Sequence, residues 1–105
     1  MIYLTNTFSP LMLEKGARAE VAEMRLDQIS VPFKEMSHAI SHETTSKVFS
    51  TLLGEEINFN RVNLCLKSGD QVYCIIPSFR ANEAREFTKE EIESSPIRVF
   101  YVYIF

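Results

Sequence analysis

Hydrophobic and polar positions change period several times along the chain, and each change marks an element. Met1 to Thr5 is short and apolar and breaks at Asn6 to Pro10, which predicts a buried first strand followed by a polar loop. Leu11 to Lys15 reads as a hydrophobic loop ending at Gly16. Ala17 to Leu26 alternates residue by residue, although its Ala and Glu content also suits a helix; the alternation after Gly16 favours a strand. Asp27 or Ser30 is then placed to cap a short helix, with Pro32 tolerated in its first turn.

Ser37 to Arg61 is the most informative stretch. Val48, Leu52 and Leu53 recur at helical spacing with Phe49 beside them, so one face of a helix can be buried. Ser41 is the expected N-cap, and Gly54 follows the last leucine, where a helix stop often needs positive φ. His42 then falls in the first turn, beside free N–H groups and the positive end of the helix dipole. A histidine next to an anion site is a candidate proton donor in phosphate chemistry, and a plain capping histidine is the competing reading.

Beyond the helix, Asn60 to Lys67 alternates and Gln71 to Pro77 is apolar, with Gly69-Asp70 between them. This predicts a two-residue hairpin in which Cys65 faces Cys74. A cross-strand disulfide is then sterically possible, but two buried thiols are the default in a reducing cytosol. Ser78 to Glu86 is polar, with Arg80 and Glu83 three apart. Thr88 with Glu91 forms a capping box for a short helix that Pro96 ends. Ile97 to Phe105 is almost wholly apolar or aromatic, so this last strand belongs at the centre of a sheet or against a second subunit. The order β-β-α-α-β-β-α-β implies a single α+β domain over residues 1–105. Its mixed five-stranded sheet would carry helices on both faces.

Composition narrows the function classes. The 105 residues are 46% hydrophobic and include eight phenylalanines, enough for one core. A net charge of −3 argues against general nucleic-acid attraction, so any polyanion must be held by a local cluster. No basic-apolar leader opens the chain and no apolar run of about 18 residues occurs, which predicts a protein without a membrane partner, working inside the cell. His38 and His42 are four apart, a ligand spacing if the helix begins earlier. Thr45 and Ser46 nevertheless stand where a second downstream histidine would be needed, and no third ligand is evident, so no metal is expected.

The ordered set AISHETTSKVFSTLLG, NFNR and KSGDQVYCI resembles a small family of viral and mobile-element proteins, the type III anti-CRISPR ring nucleases. Their pattern is A-I-G-H-E-x-T-A-x-x-L-x-x-L-L-G, then N-R, then a G-D hairpin. The first strand ending in Asn6 and the R-x-x-E of Arg80 and Glu83 also fit. The likeness runs from Met1 to about Ile92.

The resemblance implies a homodimer in the host cytoplasm. It would bind cyclic tetra-adenylate across its two-fold axis and cleave it without metal or other cofactor to linear di-adenylate ending in a 2′,3′-cyclic phosphate, thereby suppressing type III CRISPR immunity. It gives His42 the role of general acid, Glu83 that of orienting the reacting groups, and Arg80 that of holding the scissile phosphate. Asn6, Ser41 and Arg61 would bind the ring. Ser41 departs from the family glycine, and Pro32 falls in what is usually a clean helix. The alternative reading is a dimer that binds a nucleotide or nucleic acid without turning it over.

Overall fold

The computed structural model describes residues 1–78 and 88–105. Five strands form one mixed sheet: β1 (Ile2–Thr5), β2 (Ala19–Met24), β3 (Ser37–Ala39), β4 (Gln71–Pro77) and β5 (Ile97–Ile104), in the order β2-β5-β4-β1-β3. β4, β1 and β3 run parallel, and β5 is antiparallel to both β4 and β2. The aromatic last strand is therefore enclosed on both edges, as its composition requires. Among the described residues two α-helices complete the fold: α1 (Glu43–Leu53) and α2 (Lys89–Ser94).

Alternation along the strands divides the core in two. Leu4, Tyr73, Ile75 and Val99 point to one face and meet Val48 and Phe49 of α1 and Ile92 of α2. On the other face Val72, Cys74, Val102 and Ile104 meet Leu66. Both helices sit on the first face. The second is covered by irregular chain, because residues 12–14 and 66 bridge to each other: Leu66 donates its amide to Met12 O (2.7 Å) and Glu14 to Leu66 O (2.8 Å). The expectation of helices on both faces is thus corrected.

The hairpin expectation is also corrected. The Gly69-Asp70 turn exists, with Gly69 at φ 92° and the Asp70 amide bonded to Lys67 O (2.9 Å). The Asp70 carboxylate accepts from the Lys67 amide (2.8 Å). Asn60 to Lys67 still does not pair with β4, because β1 and β5 occupy both of its edges. The alternating leucines instead bury Leu66 over the second face. Cys65 consequently faces solvent, whereas Cys74 is buried 1% exposed, and both are free thiols. Burial pushes the Cys74 thiol up, and the Thr5 hydroxyl opposite pulls it part of the way back. Native alkylation is expected to label Cys65 alone, with Cys74 reacting only after denaturation. One added mass in the native protein and two in guanidinium would show this by mass spectrometry.

Upstream of β3 the expected short helix resolves into two 3-10 turns, Leu26–Gln28 and Phe33–Glu35, with Pro32 capping the second. Two turns leave the chain extended afterwards, and it adds β3, a strand that periodicity did not reveal, at the sheet edge. Downstream, the Thr88–Glu91 capping box starts α2 as expected. A bidentate pair fastens the opposite edge: Arg98 donates to Glu23 at 2.7 and 3.2 Å, holding that carboxyl below its ordinary range.

Candidate functional site

The site grows from the carboxyl ends of the parallel strands. β1, β3 and β4 run the same way, so Asn6, Ser41 and Ser78 leave the sheet at one edge. The chain after β1 crosses to the second face, while the chain after β3 enters α1 on the first. Two neighbouring strands whose connections diverge in this way leave a crevice between them, and open sheets bind ligands in such crevices.

Asn6 and Ser41 meet in that crevice. The Ser41 amide donates to Asn6 Oδ1 (3.2 Å), the Ser41 hydroxyl donates to the same oxygen (3.3 Å), and Asn6 Nδ2 donates to Ser41 Oγ (3.2 Å). Ser41 is therefore not the N-cap expected of it. Its hydroxyl serves Asn6, and His42 takes the cap position with extended backbone (φ −132°, ψ 135°) and no capping bond from its side chain. The reason is competition: a hydroxyl held by a neighbouring strand cannot also turn toward the helix. Among the described residues positive φ occurs only at Gly16, Gly54 and Gly69, so serine at position 41 carries no backbone strain. Gly54 takes φ 68° at the end of α1, as its place in the sequence requires.

His42 is exposed. The first amide of α1 with an intrahelical partner is that of Ser46, bonded to His42 O (3.1 Å), so the amides ahead of it are the free ones. Glu43, also exposed, complements the helix dipole. Thr45 in the same turn buries its hydroxyl without a hydrogen-bond partner among the described residues.

Arg61 reaches this edge by a separate route. After α1, Ile57 is buried and its amide bonds Ser50 Oγ (2.9 Å). The chain then runs parallel to β3, with Phe59 bridged to Ile40 and the Asn60 amide bonded to Ile40 O (3.1 Å). Two residues beyond this bridge on each strand stand His42 and Arg61. Arg61 is exposed. The structure thus brings Asn6, Ser41, His42 and Arg61 to one edge, and Arg80 and Glu83 lie outside the described residues.

His38, considered from its spacing as a partner of His42 for metal, is turned elsewhere. Its Nδ1 accepts from the Asn58 amide (3.0 Å) and its Nε2 donates to Phe33 O (2.8 Å). Both ring nitrogens are engaged, so neither is free to ligate. Only the sequence distance of twenty residues to Asn58 hides this bond from a local reading.

Asn6→Ala is expected to cost about 1–3 kcal/mol, because the Ser41 amide loses its acceptor in a half-buried place. The thermal midpoint should fall by roughly 5–15 °C. Asn6→Asp keeps the acceptor and should lose less; thermal melts followed by circular dichroism would compare them.

These features define a small α+β protein with polar side chains gathered at the carboxyl edge of three parallel strands. The chain belongs to the STIV B116-like family, whose model matches residues 2–101. Its fold is that of B116 of Sulfolobus turreted icosahedral virus, with a TM-score of 0.76, 24% identity and 97% of each chain covered. It is similar to the uncharacterized protein ORF116 of Acidianus filamentous virus 1 (isolate United States/Yellowstone), 26% identical over 97% of this chain and 94% of that protein. The uncharacterized protein 26 of Sulfolobus islandicus filamentous virus (isolate Iceland/Hveragerdi) is 28% identical over 89% of this chain and 82% of that protein. The family is thus one of small archaeal-virus proteins. Among the described residues no helix is long and apolar enough to cross a membrane.

Proposed function

We propose that the protein is a metal-independent ring nuclease that cleaves cyclic tetra-adenylate and thereby suppresses type III CRISPR immunity in the infected host cytoplasm. One observation carries the reading. The Asn6–Ser41 bonds hold an exposed His42 at the start of α1, at the sheet edge that Arg61 also reaches. A ribose 2′-oxygen attacks the adjacent phosphorus, the P–O5′ bond breaks, and the His42 imidazolium delivers its proton to the departing O5′. The 2′-hydroxyl proton passes to solvent or a nearby base, and the product ends in a 2′,3′-cyclic phosphate. Such chemistry needs a proton donor and charge stabilisation but no outside nucleophile. Arg61 contributes a planar fork for phosphate oxygens. Arg80, for the scissile phosphate, and Glu83, for orientation, rest on the sequence resemblance alone.

A homodimer belongs to this reading, since a four-nucleotide ring has a symmetry that two copies of each group can match. An apolar recess on the sheet face opposite the helices supports it. The recess has a volume of about 190 Å³ and is lined in part by Phe8, Val21, Ile76 and Phe100. Val21 is 51% exposed and Ile76 41%, so the recess is open to solvent.

The test is a single-turnover assay. Radiolabelled cyclic tetra-adenylate is mixed with excess protein in EDTA, with cyclic hexa-adenylate in parallel. The expected result is conversion of the four-membered ring to di-adenylate with a 2′,3′-cyclic phosphate. Tight binding without conversion would replace the enzyme by a sequestering dimer, and neither binding nor conversion would reduce the likeness to one of fold.

A further inference from the structure

His38 is the better buried of the two histidines, and the proposed chemistry does not use it. Its surroundings state what it does. β3 is an edge strand of three residues, paired with β1 on its inner side. The segment after α1 docks on that edge through few bonds, and His38 supplies two of them. The Asn58 amide donates to His38 Nδ1 (3.0 Å), and Asn60 Nδ2 donates to the His38 carbonyl (3.3 Å). The third bond joins the Asn60 amide to Ile40 O. Because Nδ1 accepts an N–H, it carries no proton, and the ring proton sits on Nε2, where Phe33 O receives it (2.8 Å). One neutral tautomer satisfies both partners. The imidazole is thus a crosspiece between the 3-10 turn at Phe33–Glu35 and the segment that ends in Arg61.

On its open side lies a cavity of about 490 Å³, lined by His38 with Lys34, Glu55, Glu56 and Phe59 among others. Residues 58–60 follow directly on Ile57, which is buried and bonded to Ser50, and beyond that anchor these hydrogen bonds hold them to β3. Phe59 is 49% exposed, so burial of its ring does not anchor the segment.

We propose that His38 is a positioning residue: by accepting the Asn58 amide it holds the segment 58–60 on β3 and so sets Arg61 level with His42. The inference rests on the ring-nuclease reading for the role of Arg61, and on the geometry alone for the docking.

Three variants separate the two ring nitrogens. His38→Asn places its Oδ1 near the position of Nδ1 and keeps an acceptor for Asn58. His38→Gln places its amide near Nε2, keeping the Phe33 bond and losing the acceptor. His38→Ala loses both. Two readouts are taken on each. Native trypsin cleavage after Arg61, relative to cleavage after Arg25, reports the docking without any ligand. Single-turnover cleavage of cyclic tetra-adenylate against protein concentration separates half-saturation from maximal rate.

His38→Gln and His38→Ala should raise cleavage after Arg61 about five- to tenfold. They should raise the half-saturating concentration by a similar factor and leave the maximal rate within about twofold. His38→Asn should stay near the wild type in both. A merely stabilising histidine would speed cleavage at Arg25 and Arg61 alike. His38→Gln matching the wild type, or His38→Asn matching alanine, would overturn the proposal, and this pair decides it even where His38→Ala fails to fold. If the wild type neither binds nor cleaves the ring, the nuclease reading fails and the substrate role of Arg61 with it; the trypsin pattern then judges the docking separately.

Discussion

Replacing His42 with alanine is expected to slow cleavage of cyclic tetra-adenylate by about two to four orders of magnitude while leaving binding within a few-fold of the wild type. The binding half of this expectation comes from the site's construction. Asn6 and Ser41 hold each other through three contacts that do not involve the His42 side chain. The helix also begins without a capping bond from His42, so alanine there removes no hydrogen bond from the fold. The Ser46 amide keeps its acceptor, because that acceptor is the backbone carbonyl of residue 42. The catalytic half comes from the departing O5′, which as an alkoxide is a poor leaving group unless a proton reaches it. Filter binding and single-turnover rates on the same preparation would check both halves. Loss of binding together with rate would make His42 a contact residue, and unchanged rates would remove it from the mechanism.

Phe49→Ala is expected to be the most damaging of the stability changes, at about 3–5 kcal/mol. Phe49 is fully buried and belongs to the cluster that joins α1 to β1, β4 and β5. Its loss leaves a cavity between helix and sheet that rigid strands cannot close. Set against a typical total of about 5–15 kcal/mol for a native domain, that is a large fraction. Because α1 carries His42 at its start, the same change should loosen the site before it unfolds the sheet. Urea unfolding would give the loss, and Phe49→Leu, which keeps most of the buried volume, should show a clearly smaller one. A midpoint unchanged from the wild type would mean that α1 contributes little to the core.

Much of this molecule is legible from local pattern. The alternation around Val21, the apolar runs that hold Tyr73 and Val99, the helical spacing of Val48, Leu52 and Leu53, the stop at Gly54 and the capping box at Thr88 each act within a few residues of themselves. The placement of His42, Asn6 and Arg61 as a set came from their resemblance to a family motif, not from periodicity. What misled local reading was competition for partners. Ser41 has the right hydroxyl for a cap, yet Asn6, distant in sequence, claims it. Asn60 to Lys67 has the right alternation for a hairpin strand, yet β4 has no free edge to offer it. The pairing expected between Cys65 and Cys74 fails for the same reason, and it leaves one thiol outside and one inside.

Local chemistry therefore determined four of the strands, β1, β2, β4 and β5, and the helices α1 and α2, because backbone propensity, capping and side-chain period are properties of short stretches. Only tertiary structure decided which strand neighbours which, that β3 exists at all, and that His38 serves the chain near Asn58 instead of standing with His42. Those outcomes depend on which hydrogen-bonding edge is already taken, and that is settled only when distant segments meet.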